Sequence, residues 1–141
     1  MKETETKKPE TKVQNPHDKF FKDTFSNPLV TRDFIENYLP ESILKMVDLS
    51  ELEIQSGSHV DEELSELFSD ILFRTKINQR EGYLYFLFEH KSYPDRMVAL
   101  QLLTYMVRIW NRNVNKKLDT HIPMIIPMVI YHGETKWKIS P

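Results

Sequence analysis

The chain contains 141 residues, of which 40% are apolar and 28% charged, and this length and composition are those of one globular domain with a buried core. The formal net charge of −2 excludes a uniformly basic nucleic-acid-binding coat, although it is compatible with a local positive groove. Cysteine is absent, and neither a membrane-length apolar run nor a signal peptide is visible, so disulfides and thiolate metal sites are excluded and we expect a soluble, cytoplasmic domain.

The N-terminal segment is polar and mixed in charge. Val13 is its one aliphatic residue after Met1, and such a segment cannot bury enough surface to offset the entropy lost on ordering. We therefore expect a disordered arm over 1–15 and a folded domain over 16–141.

Helical periodicity dominates the first third of the domain. Phenylalanines at near-helical spacing predict a first helix that ends at Asn27-Pro28, and a second helix is predicted over 29–39, where Pro40 ends it. Residues 42–47 are predicted to form a short turn. The alternation over 49–54 predicts a strand or a sheet edge.

The remainder of the chain is predicted to contain three strands and a long helix. Residues 67–76 and 83–91 are strand-length apolar runs, and the polar link between them, which includes Gly82, predicts a hairpin. An uninterrupted amphipathic helix is predicted over 96–113, and a further strand over 124–131. The order α-α-β-β-β-α-β predicts an α/β domain with a small mixed β-sheet flanked by helices.

The predicted hairpin carries carboxylates inside or next to its apolar runs. Asp70 lies within the first strand, and Glu89 and Lys91 end the second. Side chains alternate along a strand, so Glu89 and Lys91 should share a face, and buried carboxylates are costly unless they are paired or bind a metal. Oxygen ligands suit Mg²⁺ or Mn²⁺, and a neighbouring lysine can orient the water or neutralise phosphate charge.

The same spacing has a purely structural interpretation. Glu89 and Lys91 can form a same-face ion pair at a strand end, with Asp70 as a turn residue, and a D…ExK pattern is short enough to arise by chance. The residues alone leave both interpretations open.

Several further motifs occur in a set order along the chain and resemble one family. The pattern Asp70-x18-Glu89-x-Lys91 resembles the PD-(D/E)XK nuclease superfamily, and the chain is most similar to the recombination-promoting nuclease and transposase branch of that superfamily. The other segments that carry the resemblance are His17-Asp-Lys-Phe-Phe-Lys22, Phe68-Ser-Asp-Ile-Leu-Phe-Arg74, Phe88-Glu-His-Lys-Ser92, Leu100-Gln-Leu-Leu-Thr-Tyr105 and Ile126-Pro-Met-Val-Ile-Tyr-His-Gly133.

The resemblance implies a restriction-endonuclease-like core (α-β-β-β-α-β) and a divalent-metal-dependent DNA endonuclease linked to recombination or transposition. It implies that Asp70 and Glu89 hold Mg²⁺ or Mn²⁺ and that Lys91 acts on the attacking water or the transition state. Many members of the branch have Gln where this chain has Lys91, which is the more general residue of the superfamily. Members also continue well past the Tyr-His-Gly segment, so we treat the domain as one that is C-terminally truncated or a fragment.

Two helical residues are further candidates by the same resemblance. Gln101, on the long helix, would position water or phosphate, and its alternative is a surface amide. Asp18, in the first helix, would complete the metal site, and its alternative is a first-turn acid matched to the helix dipole. Weaker candidates for the role of Asp18 are Glu62, Glu63 and Glu66.

DNA is the expected partner, and no membrane is expected to take part. We also expect a homodimer, because cutting both strands of near-symmetric DNA suits two-fold symmetry and the helix over 97–110 is rich in Met and aromatic residues. The competing interpretation is a catalytically silent DNA-binding or assembly module.

Overall fold

The computed structural model of the protein describes residues 16–113, 121–132 and 137–139, and the arm predicted over 1–15 lies outside them. Within this part no helix is long and apolar enough to cross a membrane. Two short 3₁₀ turns, Leu49–Glu51 and Glu62–Leu64, accompany the regular elements. These elements are α1 (Pro16–Phe25), α2 (Pro28–Tyr38), α3 (Glu41–Leu44), β1 (Glu53–Gln55), β2 (Phe68–Ile77), β3 (Arg80–Glu89), α4 (Asp95–Asn113), β4 (Met124–His132) and β5 (Trp137–Ile139).

The strands form one mixed sheet in the order β1-β2-β3-β4-β5. Neighbouring strands are antiparallel except β3 and β4, which are parallel and are joined by α4. Because a parallel pair needs a long crossover, a helix between these two strands is the expected connection. The predicted α/β class, with a small mixed sheet flanked by helices, is confirmed.

A hydrophobic core lies on each face of the sheet. The side chains of Ile71, Phe73 and Phe86 join the core formed with α1 and α2. On the other face, Leu72 and Tyr85 belong to the core formed with α4. This coverage explains why β3 is buried from Gly82 to its end, since a strand covered on both faces has no polar side.

The hairpin between β2 and β3 is tighter than the sequence suggests. Ile77 pairs with Arg80, so the turn consists of Asn78 and Gln79 alone, and both have positive φ (53° and 68°). Two consecutive residues of this kind form the turn whose twist matches that of the flanking strands. Gly82, predicted to lie in the link, instead lies within β3, where a Cβ would come within 2.6 Å of Ile77 Cδ1.

The segment predicted as a strand over 49–54 is divided in two. Asp48 Oδ1 accepts a hydrogen bond from the Ser50 amide at 3.0 Å, and this cap starts a 3₁₀ turn over Leu49–Glu51. Only the following residues, Glu53–Gln55, pair with β2. The predicted edge strand therefore exists, but it is shorter because a side-chain cap competes for its first half.

Candidate active site

Asp70 is the most enclosed carboxylate in the part of the chain that the structure describes, with 1% of its surface exposed. Its Oδ1 accepts a hydrogen bond from the Ser58 hydroxyl at 2.6 Å. Its Oδ2 accepts two, from the His59 amide at 2.8 Å and from the Tyr85 hydroxyl at 2.6 Å. The side chain lies on the α4 face of β2, as Leu72 and Tyr85 do.

These donors decide the charge of Asp70. Burial raises the pKa of its carboxyl, but the hydrogen bonds from His59, Ser58 and Tyr85 outweigh burial and bring the pKa below its ordinary value. Asp70 is therefore an anion at neutral pH even though it is buried.

A short segment after β1, residues 57–61, brings two of the three donors to Asp70, and we call it the strap. Gly57 begins it with a φ of +91°, a conformation that favours glycine. Lys22 of α1 donates to the Gly57 carbonyl at 3.1 Å. Arg108 of α4 donates to the His59 carbonyl at 2.9 Å and pairs with Asp61 at 2.8 Å. Helices on opposite faces of the sheet thus hold the two ends of the strap over Asp70.

His59 is buried directly against Asp70. Its Nδ1 lies 3.8 Å from Asp70 Oδ2, and its ring packs edge-on to Tyr85 with centroids 6.1 Å apart. Neither ring nitrogen has a hydrogen-bond partner among the described residues. Sequence reasoning missed His59 and Ser58 as neighbours of Asp70, because no local pattern marks a loop that folds back on a strand. Tyr85 could have been found, since it shares a strand face with Glu89 by alternation.

Glu89 ends β3 and is 4% exposed. It pairs with Phe68 in the antiparallel ladder, whereas Asp70 pairs with Leu87. Asp70 and Glu89 are thus diagonal neighbours on one face, a relationship that places Cα atoms about 7–8 Å apart. Glu89 Oε1 has no hydrogen-bond partner among the described residues.

The environment of Glu89 differs from that of Asp70. Burial raises the pKa of the Glu89 carboxyl, and the negative charge of Asp95 raises it further. A hydrogen bond from the Tyr93 backbone lowers this pKa, but not enough to cancel the effect of burial. Tyr131 of β4 lies beside Glu89 in the parallel ladder. Burial raises the pKa of the Tyr131 hydroxyl, and the negative charge of Glu89 raises it further. Both carboxylate oxygens of Asp70 therefore accept hydrogen bonds, whereas Glu89 Oε1 accepts none from the described residues.

Lys91 does not lie where strand alternation would place it. The β2–β3 ladder ends at the pair Phe68–Glu89, so Lys91 lies in the bend beyond β3 and is exposed. The alternation argument for a shared face with Glu89 therefore does not apply, and the ion pairs found among the described residues do not include one between Glu89 and Lys91. The structural ion pair considered for Glu89 and Lys91 is not formed.

Asp18 lies close enough to Asp70 for the two charges to interact. Burial raises the pKa of Asp18, the Lys22 ammonium at 3.7 Å opposes this, and the Asp70 charge adds to it. The alternatives to Asp18 are all exposed: Glu62, Glu63 and Glu66. Gln101 is half-buried on α4, and it makes no hydrogen bond to Asp70 or Glu89 in the structure. The roles of Asp18 and Gln101 stay predictions.

Comparison with known proteins supplies the family. A family model described as "Putative transposase, YhgA-like" matches residues 15–141. The chain belongs to this family. The resemblance read from its motifs is thereby confirmed.

Curated relatives of this YhgA-like chain carry nuclease names. It is 38% identical over 121 residues to recombination-promoting nuclease RpnD of Escherichia coli O157:H7, covering 86% of this chain and 46% of the relative. It is 34% identical over 118 residues to recombination-promoting nuclease RpnA of Escherichia coli K12, covering 84% and 40%. It is also 32% identical over 126 residues to the inactive nuclease-like protein RpnE of the same strain, covering 89% and 42%. The chain thus spans less than half the length of these relatives, and no solved structure matches it.

The two carboxylates at this site supply part of what a divalent metal requires. Glu89 Oε1 is a buried oxygen without a donor, and Asp70 Oδ1 accepts only one hydrogen bond. Among the described residues there is no group of three or more His, Asp or Glu side chains arranged to hold an ion. Mg²⁺ is usually held by one or two carboxylates, with waters and substrate phosphates completing its shell. Two neighbouring carboxylates, one of them with an oxygen that lacks a donor, are the kind of partial ligand set that such an ion uses.

Proposed function

We propose that this YhgA-like chain is a divalent-metal-dependent DNA endonuclease that hydrolyses phosphodiester bonds and acts in recombination or transposition. The observation that carries the proposal is the pair of buried carboxylates, Asp70 and Glu89, on one face of β2 and β3. Burying two carboxylates on neighbouring strands without a cation between them destabilises a fold, so such a pair is typical of a functional site. RpnD and RpnA are named recombination-promoting nucleases, and these names support a nuclease linked to recombination.

Asp70 and Glu89 are the residues that would hold Mg²⁺ or Mn²⁺, and Asp18 is the candidate third acid. A bound ion of this kind makes its water more acidic and neutralises charge on a phosphoryl oxygen. The chain itself keeps Asp70 ionised through the donors of the strap and Tyr85. These donors also fix the direction of its carboxylate in the folded chain.

Lys91 supplies a cation that is free to meet DNA. Its side chain is exposed, two residues from Glu89, and it is not held by Glu89. We assign it to orienting the attacking water or to stabilising the charge that develops on the phosphate. Gln101 is assigned to a neighbouring position, where its amide contacts water or phosphate.

The direct test is plasmid nicking by the purified chain with Mg²⁺, with Mn²⁺ and with chelator. We expect cleavage with either ion and none with chelator. Asp70→Asn should abolish cleavage, whereas Asp23→Asn, an exposed acid on α1, should leave it unchanged. Cleavage that survives chelator, requires zinc alone, or persists in Asp70→Asn would refute the proposal.

A catalytically silent DNA-binding module is the second candidate. It is favoured by the 32% identity to RpnE, which is named as inactive. Binding of duplex DNA by the purified chain, with no nicking in either ion, would support this candidate over the endonuclease.

A further inference from the structure

The β2–β3 hairpin carries a second polar contact, on the face opposite to the two carboxylates. Ser69 Oγ and His90 Nε2 lie 2.9 Å apart and share a hydrogen bond. Ser69 is buried and lies on the α1 face of β2, as Ile71 does. The His90 amide also donates to the Leu67 carbonyl at 2.7 Å. The two segments therefore stay bonded to each other one step past the end of their ladder.

Helix α1 covers the ring of His90. His17 and Phe21, one turn apart on α1, stack on this ring with centroid separations of 4.0 Å and 5.6 Å. Phe21 also stacks on Phe88, two residues before His90, at 4.1 Å. A spacing of four on the helix thus matches a spacing of two on the strand. These stacks hold the plane of the imidazole, and the hydrogen bond with Ser69 ties it to β2.

Each polar residue of this cluster is the sequence neighbour of an acid assigned to the metal site. The three neighbouring pairs are Ser69-Asp70, Glu89-His90 and His17-Asp18. Successive side chains of a strand point to opposite faces of the sheet. A contact that fixes the backbone at Ser69 and His90 on the α1 face therefore also fixes the direction of the two carboxylates on the α4 face.

Glu89 depends on such a contact more than Asp70 does. It is the last residue of β3, and the ends of elements fray more readily than their centres. Its Oε1 has no hydrogen-bond partner among the described residues, whereas both oxygens of Asp70 accept hydrogen bonds. The position of Glu89 is therefore set by the backbone that carries it.

We propose that Ser69 and His90 are positioning residues, whose hydrogen bond holds the ends of β2 and β3 in the register that brings Asp70 and Glu89 to one divalent ion. This assignment rests on the proposed function and deepens it. Ser69 and His90 lie on the face opposite to the acids, so neither contacts the ion. Residues that orient metal ligands without coordinating the metal typically contribute about 10- to 100-fold to metal affinity or activity.

Calorimetric titration of Mn²⁺ into the purified chain tests the positioning role. Ser69→Ala removes the hydroxyl, and His90→Phe removes the ring nitrogen but keeps a ring for His17 and Phe21 to stack on. Each variant should raise the Mn²⁺ dissociation constant about tenfold. The double variant should bind no more weakly than the weaker single variant, because both changes remove the same hydrogen bond.

Thr75→Val is the matched control. Thr75 lies on the same face of β2 as Ser69, is buried, and donates to the Asp48 carbonyl at 2.8 Å. Its loss should lower the urea midpoint, as Ser69→Ala does, and leave Mn²⁺ binding as in wild type. Wild-type affinity in Ser69→Ala, additive effects in the double variant, or an equal loss of affinity in Thr75→Val would overturn the positioning role and leave the nuclease proposal standing.

Hydrogen exchange in the metal-free chain tests the same contact without the ion. Protection of the His90 amide should fall about tenfold in Ser69→Ala and stay unchanged in Thr75→Val. If the wild-type chain binds no Mn²⁺, the proposed function fails, and the exchange result alone decides whether the hydrogen bond holds the strand ends. Unchanged protection in Ser69→Ala would overturn the proposal in either case.

Discussion

The hydroxyl of Tyr85 donates a 2.6 Å hydrogen bond to Oδ2 of Asp70, although Tyr85 pairs in the ladder with Leu72 and not with Asp70. The bond runs diagonally between neighbouring strands on the face that α4 covers. Burial raises the pKa of the Tyr85 hydroxyl well above its usual range, and the Asp70 charge adds to this. Tyr85 therefore stays protonated, and remains a donor to the Asp70 anion, throughout the neutral pH range.

Tyr85→Phe should cost about 2 kcal/mol of unfolding free energy, because it removes a hydrogen bond to a buried charge. Urea denaturation at neutral pH measures this loss. The matched control is Tyr105→Phe. Tyr105 is fully buried in the core on the same face of the sheet, and burial raises the pKa of its hydroxyl to about 12. Removing that hydroxyl breaks no hydrogen bond to a buried carboxylate, so Tyr105→Phe should destabilise the chain less than Tyr85→Phe does.

The stability difference between wild type and Tyr85→Phe should depend on pH. The pKa of Asp70 is lower in the folded chain than in the unfolded chain, so its ionisation stabilises the fold above the unfolded pKa. That contribution is lost as the pH falls through the lowered value. The difference between wild type and Tyr85→Phe should therefore be full at neutral pH and shrink in acid. A constant difference would mean that the effect of Tyr85 is packing alone.

Glu89→Gln should stabilise the metal-free chain at neutral pH while abolishing cleavage. Wild-type Glu89 holds a buried negative charge whose Oε1 has no donor, and burial raises its pKa. Removing that charge should gain on the order of 1 kcal/mol, measured by thermal melting with chelator. Asp23→Asn, at an exposed acid, is the control.

Ionisation of Glu89 affects the stability of the fold in the opposite direction to ionisation of Asp70. Because the folded pKa is raised, ionisation of Glu89 destabilises the fold progressively as the pH rises from the unfolded pKa through the folded value. The gain in Glu89→Gln should therefore be full at neutral pH and vanish below the unfolded pKa. A variant less stable than wild type at pH 7 would show that the hydrogen bond from the Tyr93 backbone outweighs the cost of burying the Glu89 charge.

Local patterns predicted the hairpin strands, the long helix and the two buried carboxylates, because apolar periodicity and a charged residue inside an apolar run are visible in the sequence. The strap was not predictable in this way. Its contact with Asp70 depends on the pairing of β1 with β2 and on Arg108, which lies 49 residues after His59 in the chain. The position of Lys91 was also missed, since strand alternation stops where the partner strand begins, at Phe68.

Arg108→Met should loosen the strap without unfolding the domain. Arg108 holds the His59 carbonyl and Asp61, and both contacts would be lost. Protection of the His59 amide against hydrogen exchange should fall by on the order of tenfold, the equivalent of one or two hydrogen bonds. Arg74→Met is the control, because Arg74 also forms surface ion pairs, with Glu53 and Glu81, but does not contact the strap. Equal protection in both variants would show that α4 does not hold the strap.

Lys91→Ala should slow DNA cleavage while leaving folding and metal binding unchanged. Lys91 is exposed and forms no ion pair with Glu89, so the stability should change by less than about 0.5 kcal/mol. Asp70 and Glu89 are unaffected, so Mn²⁺ binding measured by calorimetry should persist. Plasmid cleavage should nevertheless fall about 100-fold, the usual cost of losing one group that stabilises transition-state charge. Lys45→Ala, an exposed lysine after α3, should cleave like wild type. If Lys91→Ala also cleaves like wild type while Asp70→Asn is inactive, the carboxylates form the site without Lys91, and the water must be oriented by another residue.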